Sequence, residues 1–153
     1  MKKIIVTGGS GFIGSNLVNF LIKKKFFVIN IDKLTYSSNN LVSKFKSKKN
    51  YLLIKSDINN QSKLIEIIKK HKPKAIFNLA AETHVDRSID NPKNFINSNI
   101  TGTYNLLEAL RFLKKKKIKT KLIHISTDEV YGDISKNLRS DENYKYSPSS
   151  PYS

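Results

Sequence analysis

Thr7-Gly8-Gly9-Ser10-Gly11-Phe12-Ile13-Gly14 is the stretch that decides how this chain folds. Leading into it, Lys3-Ile4-Ile5-Val6-Thr7 is a short apolar run ended by Gly8, the pattern of a buried strand. Immediately after it, Phe12, Ile13, Leu17, Val18, Leu21 and Ile22 recur at helical spacing as far as about Lys24. A strand therefore enters the turn and a helix leaves it. Both Gly8-x-x-Gly11-x-x-Gly14 and Gly9-x-Gly11-x-x-Gly14 can be read here. Taken alone, the run is equally compatible with an ordinary glycine-rich tight turn.

Working outward, residues 26–31 read as a second strand ended by Asp32, and the polar stretch 34–49 as loop with a helical turn. Residues 51–55 read as a third strand ended by Ser56-Asp57. Leu64, Ile65, Ile67 and Ile68 mark a helix that closes before Pro73. Residues 75–81 form a fourth expected strand, 94–113 a long amphipathic helix, and 122–126 a fifth strand. The polar stretch 133–153, with Pro148 and Pro151, reads as loop. Short unalternating strands and amphipathic helices in the order βαββαβαβ predict the α/β class: a doubly wound, Rossmann-like parallel sheet, incomplete at its C-terminal side. A chain of 153 residues is one domain's worth, and no internal repeat is present.

In that context the glycine turn acquires a chemistry. Gly8 and Gly11 let the backbone bend and come close to a pyrophosphate, while Gly14 lets the helix pack tightly on the sheet. The helix N-terminus offers free N–H groups and the positive end of its dipole to the phosphates. Asp32 ends the next strand at about the distance a dinucleotide fingerprint requires. A carboxylate there accepts both hydroxyls of the adenosine ribose and repels a 2′-phosphate, which favours NAD over NADP. Lys33, beside it, pulls the other way. Asp57, followed by Ile58, ends the third strand, where an aspartate can reach the adenine amino group or serve as part of a helix N-cap.

The composition restricts the alternatives. The formal charge of +16 comes from lysine, since Arg87, Arg111 and Arg139 are the only arginines. Such a charge can serve nucleic acid or an acidic membrane, or it can be a lysine-rich solvated surface of the kind a low-GC coding sequence produces. The lysines are scattered over 23–25, 44–49, 69–74 and 114–121, at expected helix ends and in loops. Apart from Phe45 between Lys44 and Lys46, no aromatic residues interleave with them as a base-stacking platform needs. The reading is no nucleic-acid partner, with a field that favours an anionic ligand. Cysteine is absent, which excludes disulfides and cysteine metal sites and fits a cytoplasmic setting. No apolar run approaches a membrane span, and the start Met1-Lys2-Lys3 leads into too short an apolar run for a signal peptide.

Several separated motifs together resemble the extended short-chain dehydrogenase/reductase family, and within it the nucleotide-sugar 4,6-dehydratases. They are Thr7 to Gly14, Asp32-Lys33-Leu34-Thr35-Tyr36, Asn78-Leu79-Ala80-Ala81-Glu82-Thr83-His84-Val85-Asp86-Arg87-Ser88-Ile89, and Asn99-Ile100-Thr101-Gly102-Thr103. The resemblance spans all 153 residues. It implies that Phe12, Ile13, Asp32, Lys33, Leu34, Thr35, Asp57, Ile58, Leu79, Ala80, Ala81, Glu82, Thr83 and Ser98 line an NAD site. It also implies that Thr83 and Thr127 touch the sugar. Ser98 stands where relatives often carry threonine and Thr83 where they often carry serine, so the hydroxyl is kept. His84 is open to two readings, a hydrogen-bonded structural histidine or a catalytic one.

Thr127-Asp128-Glu129 directly follows the fifth strand, the edge of such a sheet where ligands bind. Two adjacent carboxylates can be solvated loop acids. They can also have pKa values driven apart, so that one stays an acid while the other is a base. The resemblance implies the second. Tyr152 would take the proton from the sugar O4, Glu129 the C5 proton, and Asp128 would protonate the departing C6 hydroxyl, with Thr127 orienting the O4 region. NAD would serve as a temporary hydride store. By the same resemblance, 4-epimerases carry small hydroxyl residues or alanine at the two acid positions and some other dehydratases carry Asp-Lys, so Asp128-Glu129 favours dTDP-glucose as substrate. The competing readings are a nucleotide-sugar 4-epimerase, a dehydratase for another nucleotide, and a non-catalytic NAD-binding module.

The tyrosine setting Ser147-Pro148-Ser149-Ser150-Pro151-Tyr152-Ser153 matches the family's approach to its catalytic tyrosine. Relatives carry a lysine at the fourth position after that tyrosine, and the sequence stops before it. The expectation is a truncated NAD-binding domain without the C-terminal substrate domain, inactive alone. The resemblance further implies a homodimer for the full-length parent, doubtful for this piece, with the 94–113 helix at the interface.

Overall fold

The computed structural model describes residues 1–135 and 138–153. Five strands, β1 (Lys3–Thr7), β2 (Phe27–Asp32), β3 (Tyr51–Lys55), β4 (Ala75–Asn78) and β5 (Lys121–His124), form one sheet in the order β3-β2-β1-β4-β5. Every neighbouring pair is parallel. The order reverses at β1, which pairs with β2 on one side and β4 on the other. Thr7 stands level with Ile31 and with Asn78. A crevice opens at such a reversal, beyond the carboxyl ends of the strands.

Helix α1 (Phe12–Lys23) follows β1, α2 (Gln61–His71) follows β3, and α3 (Val85–Asp90), α4 (Pro92–Phe95) and α5 (Gly102–Lys115) lie between β4 and β5. Side chains alternate across the strands, so β1 feeds two cores. Ile4 and Val6 pack with Val18 and Leu21 of α1 and with Val42 and Phe45. Ile5 faces the other way, onto Leu64, Ile67 and Ile68 of α2 and Leu106, Ala109 and Leu113 of α5. Helices on both faces make the sheet doubly wound, as expected.

Four expectations need correction. β2 is Phe27–Asp32 rather than 26–31, a shift of one residue that takes Asp32 into the strand. β4 stops at Asn78 rather than 81, because Leu79 to Ala81 leave the sheet to line a cleft. β5 is Lys121–His124 rather than 122–126. The expected single helix 94–113 is interrupted by a π-helical turn, Ile96–Thr101, between α4 and α5. The inserted turn buries Ser98 and hands the apolar stripe on to Leu106, Ala109 and Leu113; such turns cluster at functional sites. The short helix α3 had no periodic signal in the sequence. The polar 133–153 stretch contains no helix or strand among its described residues, and positions 136 and 137 of that expectation lie outside them.

The lysines also find their place. Lys23 ends α1, Lys69 and Lys70 end α2, and Lys114 and Lys115 end α5. Each cation sits at the negative end of a helix dipole. In a parallel sheet all three of those ends lie at the edge opposite the crevice. Among the described residues, no helix is long and apolar enough to cross a membrane.

A buried polar relay ties the strands together beneath the crevice. The Thr7 hydroxyl donates to Asn78 Oδ1, and the Asn78 amide donates to His124 Nδ1 at 3.0 Å. Thr7 and Asn78 are both buried. Asn78→Ala removes the acceptor of the buried Thr7 hydroxyl and leaves a small void, an expected cost of about 2–3 kcal/mol. A urea midpoint unchanged in this variant would refute that role.

Candidate functional site

The glycine turn is built by two residues of β2. Asn30 and Asp32 lie two apart and so share a face of the strand. Asn30, fully buried, donates to Ser10 Oγ at 3.1 Å and to Tyr51 Oη at 3.0 Å. Burial pushes the Tyr51 phenol up from its ordinary value, against a smaller lowering by the Asn30 hydrogen bond. Asp32 accepts the Ser10 N–H at 2.9 Å through Oδ2 and the Leu34 N–H at 2.8 Å through Oδ1. Asp32 therefore holds the glycine turn and the exit from β2 at once. Asn30 was missed from the sequence; its signal was an amide in the middle of an otherwise apolar strand.

The glycines divide into two kinds. Gly8 has φ +67°, where a side chain is strained, and a Cβ on Gly14 would land on the carbonyl oxygen of Gly8. Those two make the turn and seat the helix under it. A Cβ on Gly11 would meet nothing closer than the Gly8 carbonyl oxygen, 3.4 Å away. Nothing in the chain itself requires Gly11 to lack a side chain. No side chain caps α1 either, because Gly11 is its N-cap. The first-turn N–H groups thus face an open space that fits a phosphate.

Next to the turn lies an open cleft. Of the expected cofactor residues, the fold brings Gly8, Gly11, Asp32, Lys33, Thr35, Asp57, Ile58, Leu79, Ala80, Ala81, Glu82 and Ser98 into its wall. Four strand ends and the π turn contribute them. Phe12 and Ile13 stand exposed at the start of α1, and Gly14 is buried beneath Gly8. Leu34 lies outside the wall with φ +60°, and Thr83 is exposed beside it. Ile31, Ser37, Ser38 and Ser56 also line the cleft and were not expected. Ser56 could have been found from its position at a strand end beside Asp57, whereas Ser37 and Ser38 depend on how the loop after Asp32 folds back.

Lys33 crosses the cleft wall. Its Nζ donates to Glu82 Oε1 at 3.2 Å and to Ser98 Oγ at 3.3 Å. The Glu82 main chain is gripped from both sides by Asn99, whose Oδ1 accepts the Glu82 N–H and whose amide donates to the Glu82 carbonyl, both at 2.9 Å. Asp57 accepts the Asn59 N–H at 2.8 Å, which leaves its other oxygen for a ligand.

At the same edge of the sheet, Asp128–Tyr131 form a short 3₁₀ turn just past β5. Thr127 caps it, its hydroxyl accepting the Glu129 N–H at 3.2 Å, so the acid pair is set on a defined turn. Both carboxylates are exposed. The chain beyond is tied to this turn: the Ser147 N–H donates to the Val130 carbonyl at 3.0 Å, and Tyr131 packs on Tyr144 and Tyr146. The same strap then reaches α3, where the Tyr152 N–H donates to Ser88 Oγ at 3.2 Å and the ring meets Phe95 edge-on. His84 is exposed and makes no side-chain hydrogen bond among the described residues.

The family model for GDP-mannose 4,6 dehydratase matches residues 5–153. A dTDP-glucose 4,6-dehydratase of Haemophilus influenzae is 45% identical over all of this chain, which covers 48% of that relative. One of Escherichia coli is 44% identical over 99% of the chain and 46% of the relative. Among solved structures, a dTDP-glucose 4,6-dehydratase of Bacillus anthracis in complex with NAD superposes with TM-score 0.84 at 40% identity, over 99% of this chain and 46% of that one. A Thermus thermophilus UDP-glucose 4-epimerase in complex with NAD superposes almost as well, TM-score 0.83 at 28% identity, over 98% of this chain and 46% of that one. The chain spans about half the length of the curated relatives it matches. The fold alone does not separate dehydratase from epimerase.

Proposed function

Because the chain belongs to the GDP-mannose 4,6 dehydratase family, we propose that it carries the NAD site and the acid–base residues of a nucleotide-sugar 4,6-dehydratase acting on dTDP-glucose. The observation that carries the reading is the Thr127-capped Asp128-Glu129 turn, on the same sheet edge as the glycine turn and Asp32. The dTDP-glucose relatives at 45% and 44% identity support the choice of sugar nucleotide.

In this reading Gly8, Gly11 and the α1 N-terminus hold the pyrophosphate, Asp32 the adenosine ribose, and Asp57 the adenine. NAD, when bound, supplies a temporary acceptor for a hydride. The chain's own residues move the protons. Tyr152 takes the O4 proton while Thr127 orients that oxygen. With a carbonyl at C4, the C5 proton becomes acidic and Glu129 removes it. Asp128 delivers a proton to the C6 hydroxyl, which leaves as water. Loss of the C5 proton and the C6 hydroxyl leaves a 4-keto sugar with a C5–C6 double bond; return of the stored hydride to C6 and of a proton to C5 would then give the 4-keto-6-deoxy sugar nucleotide, with water as the only by-product.

The 153-residue chain by itself is expected to bind NAD and to release no product, since no hydrogen bond or cation engages the Tyr152 hydroxyl among the described residues. The reading further places the protein in the cytoplasm and the full-length parent in a homodimer. Ile96, Ile100, Tyr104 and Leu107, exposed along the π turn and α5, are the residues that would meet across it.

The test joins residues 1–153 to the C-terminal half of the Haemophilus influenzae relative. The folded chimera is expected to convert dTDP-glucose to its 4-keto-6-deoxy form, followed by NMR. A chimera that binds NAD but only inverts C4 of a sugar nucleotide would favour the epimerase instead. Asp32→Ala should weaken NAD binding to the 153-residue chain roughly tenfold or more, because it removes a charged ribose acceptor and frees the Ser10 and Leu34 N–H groups. Calorimetric titration with an unchanged Kd would count against Asp32 as the ribose anchor.

A further inference from the structure

We propose that Glu82 is a selectivity residue for the cofactor: by pairing with Lys33 it withdraws a cation that a 2′-phosphate would otherwise use. The inference rests on the reading of the cleft as the NAD site. Lys33 is the only cation among the described residues lining that cleft, and it adjoins Asp32 at the end of β2. It is the residue through which NADP would most readily gain a foothold, since an ammonium beside the ribose attracts a phosphate.

Glu82 has no direct use for a dinucleotide's phosphates, because a carboxylate repels them. Its oxygen instead accepts from Lys33 Nζ at 3.2 Å, in a pair whose side chains are only 38% and 19% exposed. A pair partly withdrawn from water is screened less than a surface pair. The structure also spends a second residue on keeping Glu82 there. The two hydrogen bonds from Asn99 fix its peptide groups, and Ser98, the neighbour of Asn99 on the π turn, accepts from the same ammonium. Asp32, Asp57 and Glu82 then set three carboxylates around one neutralised lysine, inside a chain whose formal charge is +16. The cleft is locally acidic in a strongly basic protein, and Glu82 completes that inversion. It acts through Lys33 and is a positioning residue.

The experiment titrates NAD and NADP into the 153-residue chain and into E82Q, K33M and the double variant, at low and high salt. E82Q keeps the shape of the side chain and the main-chain grip of Asn99. It is expected to narrow the NAD-over-NADP preference by about fivefold, chiefly through tighter NADP binding, as a freed surface-adjacent charge allows. The narrowing should shrink as salt rises and vanish in the K33M background. A purely structural strap would change both affinities by the same factor, and that result overturns the proposal, as does a narrowing that persists without Lys33. If the parent chain binds NAD and only the ratio fails to move, the proposal alone falls. If the parent binds neither nucleotide, the reading of the cleft falls with it.

Discussion

Gly11→Ala is expected to leave the melting temperature of the 153-residue chain within about 3 °C of the parent while weakening NAD binding roughly tenfold or more. Gly14→Ala is expected to lose both. The two glycines are three residues apart in one motif, yet the structure assigns them opposite duties. A methyl group on Gly14 runs into the backbone of Gly8 and Gly9, which cannot step aside without opening the turn. Overpacking of that kind costs about 1–3 kcal/mol, a drop of about 5–10 °C at the upper end for a chain of this size. A methyl group on Gly11 meets only the Gly8 carbonyl oxygen at 3.4 Å, and φ −71° suits alanine. Its cost falls on whatever occupies the open space, which is the pyrophosphate if the reading is right. Thermal melts and NAD titrations of both variants separate the two. A Gly11→Ala chain that binds NAD as the parent does would show that the turn backbone never approaches the phosphates.

Glu129→Gln and Asp128→Asn, introduced into the chimera, are expected to lower turnover of dTDP-glucose by about 10² to 10⁴, the range for loss of a positioned acid or base. Both substitutions preserve size and leave the Thr127 cap intact, since that bond goes to the Glu129 main chain. NAD affinity should therefore hold. The two variants should also fail differently. Without Glu129 nothing removes the C5 proton, so incorporation of deuterium from solvent at C5 should disappear. Without Asp128 the C5 exchange should persist while water loss stops. Equal behaviour in both variants would mean that the two carboxylates do not divide the acid and base roles.

The expectations drawn from periodicity held where a pattern was local and strong. β1 and β3 have the expected bounds, and α1 and α2 lie where their apolar spacing places them. They erred where long-range contacts override local pattern. The 94–113 stretch has helical spacing throughout, so nothing in it announces a π turn. That turn is stabilised by what lies across from it, the Glu82 main chain held by Asn99 and the Lys33 ammonium that donates to Ser98. Likewise 75–81 is apolar to its end, but the last three residues are drawn out of the sheet to face the cleft. Helix α3 is six residues long and too short to carry a period.

By itself the sequence determined the class of fold, the strand that opens it, the glycine turn, and the acidic residue at the end of β2, because each depends on residues close together in the chain. It also placed an acid pair just past a strand end. Only the tertiary structure decided how these parts act on one another. Asn30 and Asp32 grip the turn from beneath, Gly14 is spent on packing while Gly11 is left open, and Lys33 is claimed by Glu82 rather than left to a phosphate. The reason is distance along the chain. Lys33 and Glu82 are separated by 49 positions and Asp32 and Ser10 by 22, and no local pattern records a contact that forms only when parallel strands bring their carboxyl ends to one edge.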